Sequence, residues 1–164
     1  MSAIMYVCRI DGTAVGKLLS REKSADKYFS ECHRVGDSEH DNEAGKNVWI
    51  DLDKAWFAIH SLLTEGREDR SLPAGALLGG TAVSEQDCPA WLVLTVEQTA
   101  SFAAYLATKP DDMVERSPHF AAAVPESWND AQMKQYVAGH FRNLRRFVAL
   151  AAAKGDGLMT TIST

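Results

Sequence analysis

The sequence predicts an α+β fold: a single domain with a small mixed sheet that includes strands from both ends of the chain, packed against several helices, the longest near the C-terminus. Three observations carry this expectation. Branched and aromatic residues fill Ile4 to Ile10 and recur in Leu158 to Ser163. Helical periodicity runs through Asp51 to Gly66 and again from near Asn129 or Asp130 to about Ala153. Finally, 164 residues with a 46% hydrophobic share suffice for one core and are few for two, so residues 1–164 are read as one domain.

Ile4 to Ile10, IMYVCRI, precedes Asp11-Gly12, as a strand ending in a turn would. Met5 and Val7 interleave with Ile4, Tyr6 and Cys8, so both faces are apolar and the strand belongs near the sheet centre. Thr13 is placed to cap a short helix through Val15, Leu18 and Leu19, and a second helical piece covers Ala25 to Glu31. His33 to Asn47 reads HRVGDSEHDNEAGKN, a polar loop with two glycines.

Asp51 to Gly66, DLDKAWFAIHSLLTEG, organises the first half of the chain. Leu52, Ala55, Trp56, Ile59, Leu62 and Leu63 recur at three- and four-residue steps and form one helical stripe. Asp51 or Asp53 is placed to cap its start and Gly66 to end it in the left-handed conformation. Phe57 points away from the stripe and His60 lies at its flank, so the helix is apolar on more than one side and is expected to pack centrally.

Beyond it, Leu72-Pro73-Ala74-Gly75 is turn chemistry leading to Gly79-Gly80, a hinge or tight turn that also permits close approach of a backbone or a ligand. Ala90 to Leu94 is a short strand, and Thr95 with Gln98 forms a capping box opening a helix to about Thr108, ended by Pro110. Its alanines predict close approach to a neighbour. Pro118 opens a short helix over Phe120 to Ala123, and Val124 to Trp128 makes an ordered turn. The longest helix then carries Met133, Val137, His140, Phe141, Leu144, Val148 and Ala151 on one stripe, widened by Tyr136 and Phe147, until Gly155 and Gly157 stop it before the last strand.

A net charge of -5 and a pI near 5.5 give no overall electrostatic support for a nucleic-acid or anionic-membrane partner, and neither is expected. Acidic residues dominate from Glu31 to Asp87, whereas Lys134, Arg142, Arg145, Arg146 and Lys154 make the last helix basic. The two regions are expected to face each other, with an acidic partner as the alternative. Cys8, Cys32 and Cys88 are odd in number, and no secretory apolar region precedes them, which predicts reduced thiols in a soluble cytoplasmic protein.

No catalytic signature survives inspection. There is no nucleophile elbow, and the glycine pair lacks both the dinucleotide spacing and the lysine and hydroxyl of a phosphate loop, so no cofactor is expected. Cys32, His33, Asp37, His40, Asp41 and Glu43 match no closed zinc pattern, and no metal is expected either. Asp51 and Asp53 suit a helix start for electrostatic reasons alone. What remains are two candidate surfaces. Trp56, Phe57 and His60 with Gly79 and Gly80 form a candidate ligand site, against which stands the ordinary packing role of a histidine at a core edge. Arg142, Arg145 and Arg146 lie near one polar side of the last helix and suit an anion or an acidic protein surface, against which stands a merely solvated face.

The order of parts resembles the YfbM-like family of bacterial proteins of unknown function. The resemblance rests on LDKAWFAIHSLLTEG, the glycine pair, a strand followed by TVEQ, the VPESW turn, the long aromatic helix and the terminal strand, and covers nearly the whole chain. It implies a single α+β domain and no established activity, cofactor or catalytic residue. With no catalytic motif and an acidic composition, the expected function is a non-enzymatic protein-interaction module of immunity or regulatory type. The alternative is a small-molecule-binding protein or enzyme using Trp56, Phe57 and His60.

Overall fold

The run of branched and aromatic residues at the N-terminus forms strand β1 (Ile4–Ile10), which pairs antiparallel along its whole length with the C-terminal strand, from Ile4 opposite Ser163 to Ile10 opposite Gly157. The computed structural model describes residues 3–35, 48–84 and 90–163. After β1 come α1 (Gly12–Leu19), α2 (Ala25–Val35), β2 (Trp49–Asp53), α3 (Ala55–Leu63), β3 (Thr81–Ala82), β4 (Trp91–Leu94), α4 (Val96–Ala107), α5 (Met113–Arg116), α6 (Phe120–Ala123), a 3-10 turn at Glu126–Trp128, α7 (Ala131–Ala153) and β5 (Gly157–Ser163). α2 runs on through His33 to Val35, where the loop was expected to have begun, and the rest of that polar segment, 36–47, and Cys88 lie outside the described residues.

The strands form one sheet in the order β2-β1-β5-β4-β3. The α+β class, the two terminal strands in one sheet and the long last helix are as expected. Every pairing is antiparallel, however, where a mixed sheet was expected. Periodicity within a strand carries no direction; only pairing across the sheet sets it.

Side chains alternate between two cores, as the period of a strand requires. Met5, Val7, Leu94 and Leu158 join a larger core with α3, α4, α6 and α7. Cys8, Ile10, Val93 and Met159 join a smaller one under α1 and α2. Covering both faces is what the doubly apolar pattern of β1 called for. On α7, Val137, Ala138, Phe141, Leu144, Phe147, Val148 and Ala151 are buried, each large side chain contributing about 1.5–3 kcal/mol before entropy is subtracted.

The ends of α4 and α7 are written locally. Thr95 Oγ1 accepts from the Gln98 amide at 3.2 Å while Gln98 Oε1 accepts from the Thr95 amide at 2.9 Å, a complete capping box. Asp130 Oδ1 accepts from the Met133 amide at 2.7 Å. Elsewhere the boundaries move. Asp11, not Thr13, caps α1, through the Ala14 amide at 2.7 Å, because the turn after β1 leads straight into the helix. The central helix begins at Ala55: Leu52 belongs to strand β2, where Ile50 and Leu52 point inward, and neither Asp51 nor Asp53 caps it. Pairing with β1 overrode a helical periodicity that Leu52 satisfies equally well. Gly66 does take the left-handed conformation, φ +74°, just beyond α3.

Candidate functional site

Chemistry gathers along α7. On one side, α4 and α7 leave a groove of about 460 Å³ whose floor and walls include Ala103, Leu106, Ala107 and Ala149 and whose rim carries Asp111, Arg142, Arg145 and Arg146. Alanine at three of these positions removes the side-chain bulk that would otherwise close the space. The spacing 142, 145, 146 places the three guanidinium groups on the same groove.

Two of the arginines are paired within the fold. Arg142 Nη1 donates to Glu115 Oε1 at 2.7 Å, and Arg145 pairs with the Asp111 carboxylate. Burial pushes the Glu115 carboxyl upward, but the Arg142 hydrogen bond and charge oppose it and leave the pKa below the usual value, so the pair is ionic at neutral pH. Arg145 also lies over the Phe141 ring, 5.8 Å from its centroid. Arg146 is exposed and has no ion pair among the described residues. These acidic partners come from the segment after α4, not from the stretch Glu31 to Asp87 that the charge distribution singled out. Among the described residues, α7 meets that stretch by apolar packing against β2 and α3 and, on its polar side, through a hydrogen bond from Tyr136.

That bond lies on the other side of α7, where Tyr136, Gly139, His140 and Arg146 open onto a shallower hollow of about 320 Å³. Tyr136 Oη donates to Asp53 Oδ2 at 2.7 Å, joining residues 83 positions apart, and its ring meets Trp128 and His140 edge-on at 6.1 and 4.7 Å. Asp53 has φ +44°, a left-handed conformation that strains a non-glycine residue, and Asp51 Oδ1 accepts from its amide. Burial, and then the hydrogen bond to Asp53, push the Tyr136 phenol far above its ordinary pKa, so it remains a donor. Tyr136→Phe is expected to cost about 1–2 kcal/mol, measured as a lower urea midpoint, because it leaves a charged acceptor unpaired at a strained corner. An unchanged midpoint would show that water replaces the phenol at no cost.

The aromatic candidates are placed differently. Trp56 Nε1 donates to the Ala3 carbonyl at 3.0 Å, which ties α3 to the residue before β1. Phe57 is 53% exposed and stands edge-on to Trp56 at 5.9 Å. His60 is only 8% exposed, and its Nδ1 has no hydrogen-bond partner among the described residues. Gly79 and Gly80 admit protein backbone: a Cβ on Gly79 would lie 2.5 Å from the Arg70 carbonyl oxygen, and one on Gly80 2.7 Å from that of Val93.

Burial, and then the positive charge of Arg70, lower the His60 pKa from its ordinary 6.5. A depressed folded-state pKa means that the unfolded chain binds the proton more readily. Stability from this residue is therefore complete above pH 6.5 and declines as the pH falls below it, through the folded-state pKa. His60→Gln should flatten stability against pH over that window in urea titrations. A parallel decline in both proteins would remove His60 as its source.

Sheet and helices thus define a single-domain α+β protein with an arginine-rimmed groove along its last helix. Residues 1–161 match the family model described as a domain of unknown function, DUF1877, and the chain belongs to that family. The crystal structure of YfbM from Escherichia coli, a protein of unknown function, is similar over 97% of this chain and 99% of that one, with TM-score 0.62 and 18% identity. That likeness establishes a shared fold, in agreement with the resemblance carried by LDKAWFAIHSLLTEG and VPESW. No curated protein matches the chain.

Proposed function

We propose that the protein is a non-enzymatic interaction module, of the immunity or regulatory kind, that works in the cytoplasm by holding an acidic segment of a partner protein in the groove between α4 and α7. The observation that carries this reading is the set of three guanidinium groups on an alanine-lined groove, with Arg146 lacking an ion pair among the described residues. Arginine suits the role because its planar fork meets carboxylates bidentately and sheds water more readily than lysine does. The small floor residues let a partner backbone come close, and the charges fix which partner is accepted. With Arg142 and Arg145 paired to Glu115 and Asp111, Arg146 is the uncompensated cation of the groove among the described residues, on a chain whose net charge is -5, which favours selection over general stickiness.

The test is a photo-crosslinking amino acid at Ala149, on the groove wall, in cells expressing the protein at native level. One dominant protein adduct is expected, and Arg145→Glu with Arg146→Glu should weaken binding of that partner about a hundredfold. Labelling that is unselective, or indifferent to the charge reversals, would overturn the proposal.

A further inference from the structure

We propose that Asp111 holds the place of the partner's carboxylate: in the unbound protein it sits on Arg145, and binding exchanges it for an acidic side chain on a helical segment of the partner. The inference rests on the groove being the binding surface and adds how that surface is kept ready.

The two halves of the Arg145 pair are unequally covered. The Arg145 side chain is 22% exposed and lies over Phe141, whereas its partner Asp111 is 85% exposed. An aspartate so exposed regains almost nothing from pairing, since water solvates it nearly as well. A covered guanidinium loses more when left alone. The acid is therefore the exchangeable half. Arg142 Nη1 also reaches the Asp111 carbonyl oxygen at 3.5 Å, so the backbone can remain in place while the carboxylate swings out to solvent.

The neighbouring pair is built to stay. Glu115 is more covered than Asp111, one of its oxygens is buried, and the other accepts from Arg142 at 2.7 Å. Arg142 is thereby a fixed wall, while Arg145, once released, and Arg146 are the cations open to an incoming ligand. Both residues line the groove, and two carboxylates one helical turn apart lie on the side of a helix that would face it. Ala103 and Ala107 leave room for such a helix to approach α4.

The test titrates a fluorescently tagged alanine-rich peptide, with glutamates four residues apart, against the wild-type protein and its variants by anisotropy at low salt. Asp111→Asn is expected to bind it about three- to fivefold more tightly than wild type, the worth of one exposed competing ion pair. Arg145→Gln is expected to bind it at least about tenfold more weakly, and the double variant to bind no better than Arg145→Gln alone. Equal affinity of Asp111→Asn and wild type, with binding still dependent on Arg145, overturns the exchange and leaves the groove reading intact. Binding indifferent to Arg145→Gln, or no binding by any variant, removes both. A tagged oligothymidylate that binds more tightly than the peptide, in an arginine-dependent way, overturns the acidic helix as occupant.

Discussion

Phe141→Ala is expected to destabilise the protein by about 3–5 kcal/mol, the range for removing a buried aromatic ring. Phe141 is fully buried in the larger core with Leu144, Val148 and Leu106, on the helix that packs most extensively against α4. Removing the ring deletes contacts on both helices and opens a void that a rigid α7 closes only in part. Against a typical total of about 5–15 kcal/mol, the loss leaves a marginal fold. It should appear in urea unfolding as a much lower midpoint at unchanged slope. Because the Arg145 guanidinium lies over this ring, the variant should also loosen the groove rim. Phe141→Leu, which restores most of the volume, should recover most of the stability. A cost below about 1 kcal/mol for the alanine variant would mean that α7 is not the centre of the core.

The second large effect is at the glycine pair. Gly80 has φ +95°, and a Cβ there would stand 2.7 Å from the Val93 carbonyl oxygen on β4. Gly80→Ala therefore combines backbone strain of about 1–3 kcal/mol with a clash that only movement of the sheet edge relieves. Gly79→Ala meets the Arg70 carbonyl oxygen at 2.5 Å and should behave similarly. Both variants are expected to lose stability in thermal and urea unfolding whether or not any ligand is present. If instead they unfold like wild type, the close approach of these backbones is not what requires glycine, and the ligand role considered for Gly79 and Gly80 gains ground.

These two cases also show what was legible. The α7 stripe around Phe141 could be read directly, because consecutive turns of one helix repeat the same apolar face. For the glycine pair, the need for close approach was visible but not its partner, since Arg70 and Val93 reach it only through the fold. The candidate groove was half visible. Arg142, Arg145 and Arg146 share a side by helical spacing alone, while Ala103 and Ala107 on α4, and the Asp111 and Glu115 carboxylates that occupy two of the arginines, belong to other elements. Tyr136 had an apolar reading only, because its acceptor Asp53 lies on β2, far away in sequence.

By itself, the sequence determined the strands at the two termini, the capping box at Thr95 and Gln98, the start of α7 to within Asn129 or Asp130, the periodic core face of that helix and the membership of one α+β domain. All of these follow from interactions within a few residues, which a local pattern records in full. Only the tertiary structure decided that the sheet is antiparallel, that Leu52 joins strand β2 rather than α3, that Asp11 caps α1, and that α4 with the segment after it turns a row of arginines into a groove. Each of those outcomes depends on which distant surface a segment meets, and the free energy that settles it is contributed by both partners at once.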